Sequence, residues 1–527
     1  MPIIPNPNCA IIYKTDGHVV IGSNLSVVFD NFSRNCVQAF FERTGCAFDN
    51  TTTKPCLKLR RNESFSLEEY DISIDADRVE VTASCENGII LALTTLYQLI
   101  DEYGRINGCH IHEKPRYSHR GLSLDCVRHF FRIAEVKRIV EQMALVKMNV
   151  LHWHLTNDQG WRIESKRYPK LTRQHGNDFY SHDEIKELID YAAVRGVEVI
   201  PEIEMPGHST GLLAAYPEYS CSGQERKLAG YGGIYPIILC GGNEHTYELI
   251  SNLLDEICPL FPSTRLHIGG DEAPKKEWRN CPCCQQKIKE NGLKNEVELQ
   301  GYFSNRISRM LDKHGKTAIC WNDSLEAANL HSDIIAQFWS VQYASSLKPF
   351  VRKGGKFYYS DMFSCYLDYP HAMSPLKRVY AETPVIEDTD YSDSTALLGI
   401  EACLWAEHIK TESRLEEQLF PRLYAIAETA WSIERDYNDF TERLTDFVKK
   451  YHPADMNITP DEGWDPQGQV RQQEAFEYMK TVSSSIPEEV YADTMEAAAP
   501  NPLFQKKFMT CFFEPEDAPL LMKMKEG

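Results

Sequence analysis

Arg265-Leu-His-Ile-Gly-Gly-Asp-Glu272 is the stretch that decides the architecture of this 527-residue chain. Its first four residues read as a short β-strand, and two glycines then lead into two adjacent carboxylates. Glycine has no Cβ, so other groups can approach the backbone closely there. Carboxylates held this near repel each other, so one tends to keep its proton while the other stays ionised. Acid/base chemistry on an acetal needs that division of labour. A lone Asp-Glu pair is more often an exposed turn, so its weight depends on the rest of the chain.

Working outward, short apolar runs alternate with amphipathic helical segments from Gly121 onward. The runs Gly121–Leu124, Val150–Leu155, Glu198–Ile203, Arg265–Ile268, Thr317–Trp321, Ile334–Phe338, Lys356–Tyr359 and Leu397–Leu404 read as strands. Helical spacing fits Ala134–Val146, Asp183–Ala193, Tyr247–Ile257, Glu298–Lys313 and Leu415–Ala430. Eight strands with intervening helices predict an α/β chain with a (β/α)8 TIM barrel over residues 116–455. A doubly wound open sheet is the alternative, but no glycine-rich phosphate loop follows an early strand. Residues 1–115 predict a small N-terminal α+β domain: Arg78–Ala83 alternates with period two, Glu86–Leu99 has helical spacing, and Pro115 closes the unit. Residues 456–527 form a C-terminal extension. Asp461–Gly468 is turn-rich, Val470–Val482 has helical character, and the apolar residues between Pro500 and Pro519 show no clear period. A cap, an oligomer contact and a tail all remain open for it.

In such a barrel the working residues sit where strands end and loops begin. Arg120 precedes the first strand and Asp125 follows it. The second leads into His152-Trp-His-Leu-Thr-Asn-Asp158-Gln-Gly-Trp161, and the third into Pro201-Glu-Ile-Glu-Met-Pro-Gly-His208. The fourth carries Asp271 and Glu272. Later ends supply Trp321 with Asn322 and Asp323, then Trp339, then Tyr366-Leu-Asp368-Tyr369, and finally Trp405 and Glu407. A single tryptophan is ordinarily core and a single arginine ordinarily surface. Together, flat apolar rings and a rim of Asp, Glu, Arg and His suit the C–H faces and hydroxyls of a sugar. No basic cluster suits a phosphate.

A net charge of −20 disfavours nucleic acid and anionic membranes as partners. The N-terminus shows neither the basic region nor the apolar core of a signal peptide, and no apolar run reaches the ~20 residues that span a bilayer. Seventeen cysteines without a framework read as free thiols, which predicts a cytoplasmic protein. The sequons at Asn24, Asn50 and Asn322 are then chance matches. Cys281-Pro-Cys283-Cys284 invites a metal reading. No second CxxC follows it, so the expectation is a connector with packed thiols and no metal.

At these motifs the chain resembles family 20 glycoside hydrolases, the β-N-acetylhexosaminidases, over nearly all of residues 1–455. His152-Trp-His-Leu-Thr-Asn-Asp-Gln-Gly-Trp161 and His267-Ile-Gly-Gly-Asp-Glu272 carry the resemblance jointly. It implies a retaining, exo-acting enzyme without cofactor, in which the substrate's 2-acetamido oxygen attacks its own anomeric carbon. By the resemblance Glu272 is the general acid and base, Asp271 orients the acetamido group and stabilises the oxazolinium ion, and Tyr366 holds the acetamido carbonyl. Asp158 and His208 form a relay to Glu272. Arg120 binds the 3- and 4-hydroxyls, Asp368 and Glu407 the 4- and 6-hydroxyls, and Trp321, Trp339 and Trp405 line the pocket. The implied partner is an oligosaccharide or glycoconjugate ending in β-linked N-acetylglucosamine or N-acetylgalactosamine, and a homo-oligomer is left open. Departures from the family pattern are Asn157 and Glu204 where Asp is usual, Glu401 where Gln is common, and Trp321-Asn-Asp in place of Trp-Asp-Glu. A disaccharide-releasing lacto-N-biosidase-like enzyme and a non-catalytic sugar-binding protein are the alternatives.

Overall fold

The structure, a computed structural model, describes residues 2–485 and 501–517 apart from positions 10, 23, 50–55, 76 and 77; Asn50 therefore lies outside the described residues. The first unit is a seven-stranded mixed sheet, ordered Ile12–Val20, Arg105–Glu113, Tyr70–Asp75, Arg78–Ala83, Cys56–Arg61, Asn24–Val28, Ala47–Asp49. Alternating residues of its central strands (Leu57 and Leu59, Ile72 and Ile74, Val79 and Val81) are buried against Ile89, Leu93 and Leu96 of the helix Glu86–Leu99. That alternation is what lets one face of a sheet meet a helix.

The second unit is a closed barrel of eight parallel strands: His119–Asp125, Val150–His154, Glu198–Glu202, Arg265–His267, Thr317–Trp321, Ile335–Phe338, Phe357–Tyr359 and Leu397–Leu404. Closure comes from the eighth strand pairing with the first, from Gly399 opposite His119 to Leu404 opposite Leu124. These strands are buried on both faces, which is why they read as continuous apolar runs rather than alternating ones. The expected helix Leu415–Ala430 is instead two, Glu412–Leu419 and Arg422–Trp431. Pro421 lies between them; it has no N–H to donate, and its ring clashes with the preceding turn of a continuous helix.

Beyond the barrel, the helices Gly468–Ser485 and Pro502–Phe512 pack back onto it. Arg471 forms a buried bidentate pair with Asp517, at 2.5 and 2.6 Å. Lys507 pairs with the buried Asp361 of the barrel. Phe512 is buried between Tyr369 and Phe363, with ring centroids 4.7 and 5.3 Å away.

Candidate active site

The turn after the fourth barrel strand has the conformation its glycines permit. Gly269 and Gly270 have φ of 64° and 97°. A Cβ on Gly269 would lie 1.7 Å from Glu204 Oε2, so no other residue fits that close approach. Glu272 itself is left-handed, with φ of 44°, a conformation that costs a non-glycine residue energy and persists only where surroundings enforce it. The enforcing contact is visible. The Glu272 N–H donates to Asp323 Oδ1 at 3.0 Å, while Trp339 Nε1 donates to Asp323 Oδ2 at 2.6 Å. Burial pushes the Asp323 carboxyl up to about 7.

His208, also left-handed at φ 45°, stands beside the pair. Its Nδ1 is 2.9 Å from Asp158 Oδ2, and its Nε2 lies 3.5 Å from Asp271 Oδ2 and 3.4 Å from Glu272 Oε2. Asp158 is held in turn by the backbone N–H and hydroxyl of Thr210. Burial alone would lower the His208 pKa, but Asp271, Asp158 and Glu272 overcome it and raise the ring well above its ordinary value. Asp271 is driven well above the carboxylate range, by burial first and then by the charge of Glu204, with His208 opposing and Asp323 and Glu272 adding to the rise. Its Oδ1 is buried without a hydrogen-bond partner among the described residues. Such an oxygen is one that a ligand N–H would satisfy.

Asp271, Glu272, His208, Trp321, Trp339, Tyr366, Asp368, Trp405 and Glu407 all line one cavity of about 430 Å³ at the C-terminal ends of the strands. Tyr366 reaches it because residues 365–367 run alongside the eighth strand: Cys403 N–H donates to Cys365 O and Leu367 N–H to Cys403 O. Its ring lies nearly parallel to Trp339 (15°, centroids 6.3 Å) and edge-on to Trp405 (5.9 Å). Trp321 forms buried floor, its Nε1 donating to Glu202 Oε1 at 2.8 Å. Trp153 and Trp161, from the same strand-end motifs, are core residues.

One expected ligand is misplaced. Arg120 is the second residue of its strand and so lies at the barrel's opposite, N-terminal end. It is fully buried there, bidentate to Glu68 of the first domain at 2.8 and 2.9 Å and packed over the Trp431 ring. It cannot meet a sugar. The cavity's cation is Arg128, eight residues on, past the C-terminal end of the same strand. Arg128 lies 3.2 Å from Asp125, 3.5 Å from Glu407 and over the Trp405 ring. These carboxylates raise its pKa further despite its burial, and its Nε is unpartnered among the described residues. Asp368 is pushed up to about 8 by burial and then by Glu407, and its Oδ1 likewise lacks a partner among the described residues.

The extension supplies the remaining wall. Tyr478, Met479, Val482 and Ser485 of the first C-terminal helix and Phe508 of the second line the cavity, opposite Gly232 and Gly233 of the long loop after the third strand. Beneath the floor, Glu401 accepts from His152 Nδ1 (2.8 Å), His119 Nε2 (2.7 Å) and Gln337 Nε2 (2.7 Å), and His152 Nε2 lies 3.0 Å from Glu202 Oε2. This buried polar layer explains how Glu401, within its strand, and Glu202, at the end of its own, can both be buried. Asn322 is also buried, bonded to Ser340 and Trp339, so its sequon is unavailable. His208, Asp271 and Glu272 lie close enough together to hold a cation, yet His208 already spans Asp158 and the carboxylate pair. A second cluster, of four cysteines, stands apart from the cavity.

An (β/α) barrel bringing paired carboxylates, three tryptophans and a tyrosine to a single sugar-sized cavity belongs to the glycoside-processing barrels. The chain belongs to glycosyl hydrolase family 20: residues 117–434 match that family's catalytic domain and residues 1–113 its domain 2. It is 35% identical to a Beta-hexosaminidase of Porphyromonas gingivalis over 72% of this chain. The matched region covers 52% of that relative, so the chain spans about half its length. Among solved structures, a beta-N-acetylhexosaminidase from Bacteroides fragilis superposes with a TM-score of 0.78 at 29% identity, covering 87% of this chain and 97% of that one. A mutant Streptomyces plicatus beta-hexosaminidase in complex with product (GlcNAc) gives 0.76 at 26% identity, covering 87% and 96%.

Proposed function

We propose that this chain is an exo-acting, retaining β-N-acetylhexosaminidase that removes terminal β-linked N-acetylglucosamine, or N-acetylgalactosamine, by substrate-assisted catalysis. The observation that carries this reading is the convergence of Asp271, Glu272, Tyr366 and the three tryptophans on one cavity. Arg128, Asp368 and Glu407 line the same cavity, where they suit the hydroxyls of a non-reducing terminal ring. The product complex of a Streptomyces plicatus relative with GlcNAc supports the same substrate class.

The His208 ring stands at near-equal distance from both carboxyls. In the absence of a donor, burial favours the neutral form of Asp271. An acetamido N–H donating to Asp271 stabilises its ionised form, and Glu272 is the acid of the pair. Glu272 then protonates the glycosidic oxygen as the C1–O bond breaks. The acetamido carbonyl oxygen, held by Tyr366, bonds to C1 and gives the cyclic oxazolinium ion, whose charge Asp271 balances. Water next attacks C1, giving its proton to Glu272 while the C1–oxygen bond of the ring opens. Configuration is retained by two inversions. An intramolecular nucleophile so placed gains an effective molarity on the order of 10⁵ M or more.

Hydrolysis of an aryl β-N-acetylglucosaminide tests the reading. Glu272→Gln should lower kcat by about 10²–10⁴-fold, the usual contribution of a positioned acid, and Asp271→Asn should fall comparably. The matching aryl glucoside, which lacks the acetamido group, should be nearly inert. Its rapid cleavage would mean a protein nucleophile and end the proposal. We place the enzyme in a reducing compartment, the cytoplasm; seventeen free thiols support this, and recovery in a secretory fraction would overturn it.

A further inference from the structure

Cys221 lies in the loop after the third barrel strand, Cys240 at the far end of that loop, and Cys281 and Cys284 at the helix Pro282–Glu290 that follows the Asp271-Glu272 turn. Their sulfurs converge. Cys221 and Cys284 Sγ are 3.8 Å apart, Cys240 and Cys281 Sγ 3.7 Å, and Cys240 and Cys284 Sγ 3.7 Å, and all four lie within 4.8 Å of one another. A disulfide would need about 2.05 Å, and all four thiols are free. A tetrahedron of sulfurs around zinc at about 2.3 Å has edges of about 3.8 Å. Three of the six separations match it, and the other three stay within 4.8 Å. We propose that Cys221, Cys240, Cys281 and Cys284 bind one zinc ion, which fastens the loop 222–239 to the segment carrying Asp271 and Glu272.

The surroundings suit thiolates. Cys281 is the N-cap of its helix and Cys284 lies in the first turn, where unpaired N–H groups and the helix dipole favour negative charge. Lys276 lines the hollow beside Cys221 and Cys281, where Arg226 is paired with Glu277 at 3.5 Å. Gly242 lets the loop descend onto the helix start: a Cβ there would lie 2.2 Å from the Cys283 carbonyl carbon. Cys283 itself is exposed and takes no part in the cluster. The end of the loop is anchored by Ile237 and Leu239 in the main core, while the apolar cluster around the cysteines themselves is small and separate from it. The expectation of packed thiols rested on finding no second CxxC downstream. The second pair of ligands is upstream, as two single cysteines whose loop ends are joined by the Ser220–Leu239 bridge.

The site bears on catalysis through position. The loop carries Gly232 and Gly233 into the sugar cavity, and Ile234 and Pro236 into the neighbouring hollow beside Glu272. Ala229 N–H also donates to Asp158 O at 3.1 Å, behind His208.

Elemental analysis of the full chain, purified without added chelator or metal, should find one zinc per chain. Cobalt(II) exchanged into the same protein should give the intense visible bands and near-ultraviolet thiolate charge-transfer bands of a tetrahedral sulfur site. The double variant Cys281→Ser/Cys284→Ser should lose the metal, while Cys283→Ser should keep it. If the double variant fails to fold, metal content and cobalt spectra of the unaltered chain still decide. Zinc-free protein with four freely titratable native thiols, a disulfide within the cluster, or iron in place of zinc would each overturn the assignment. None of these readouts depends on hydrolysis.

Discussion

At the residue scale, two arginines of one motif take different places, Arg120 in the contact between domains and Arg128 in the cavity. Arg120 lies at the start of one strand and Arg128 just past its end, and only the direction of that strand tells them apart: the C-terminal end faces the cavity. That signal was present in the sequence, because Arg120 precedes the apolar run and Arg128 follows it. Arg128→Ala should raise KM for an aryl N-acetylglucosaminide at least tenfold, by removing a charged donor worth about 1.5–3 kcal/mol, besides destabilising the chain through the buried Asp125 it leaves behind. Arg120→Ala should lower the melting temperature with KM intact. Identical kinetic defects in both would refute the division. Glu401 poses a different question, since it replaces the glutamine the family resemblance leads one to expect. With Glu202 it overcomes the effect of burial and raises His152 to about 10, while its own carboxyl is held well below its ordinary range by His152 and His119 despite burial. The His152 contribution is full below an unfolded pKa of about 6.5 and is lost as pH rises through about 10. The Glu401 contribution is present above about 4.3 and is lost as pH falls below it. The melting-temperature loss of Glu401→Gln should therefore peak between about pH 5 and 7 and shrink towards both pH extremes. A loss independent of pH would mean the ion pairs contribute nothing net.

At the element scale, the barrel strands and most helices were readable because run length and period are local properties. The C-terminal extension was less so. Helix Gly468–Ser485 emerged from its spacing, but its role depends on contacts with Tyr369 and His408, far away in sequence. In the second helix Phe504, Phe508 and Phe512 recur at every fourth position, a stripe whose period is masked in the sequence by the apolar Leu503, Met509, Cys511 and Phe513 around it. The stripe packs on Phe363 and Tyr369, which places Phe508 over the cavity. The extension thus caps the site. A chain ending at Gln467 should keep its barrel by circular dichroism yet lose at least tenfold in kcat/KM, chiefly through KM, because the wall formed by Tyr478, Met479 and Val482 is gone. Unchanged kcat/KM would show that the cap contributes nothing to binding. The cysteine cluster was illegible for a related reason, since its ligands are spread over 221 to 284 and only folding brings them together.

At the scale of the whole molecule, the N-terminal domain is joined to the barrel by shared core rather than by a hinge. Trp431, from the last barrel helix, belongs to the first domain's apolar cluster, and its Nε1 donates to the buried Glu113 at 2.7 Å. Lys147 lies 4.3 Å from the same ring and donates to Tyr70 Oη at 2.9 Å. Glu68 takes both Arg120 nitrogens, and Asn8 binds the Trp431 carbonyl. Each of these contacts crosses the boundary, and the strongest involve charges withdrawn from water. Removing one partner of such a pair leaves the other buried and unpaired, at a cost of about 3–5 kcal/mol. Glu68→Ala should therefore destabilise the barrel although the residue belongs to the other domain. Calorimetry should show one cooperative transition in the parent chain, shifted to lower temperature in Glu68→Ala. Two separate transitions in the parent, with only the earlier one moved by the substitution, would mean that the domains fold independently and that Trp431 does not couple them.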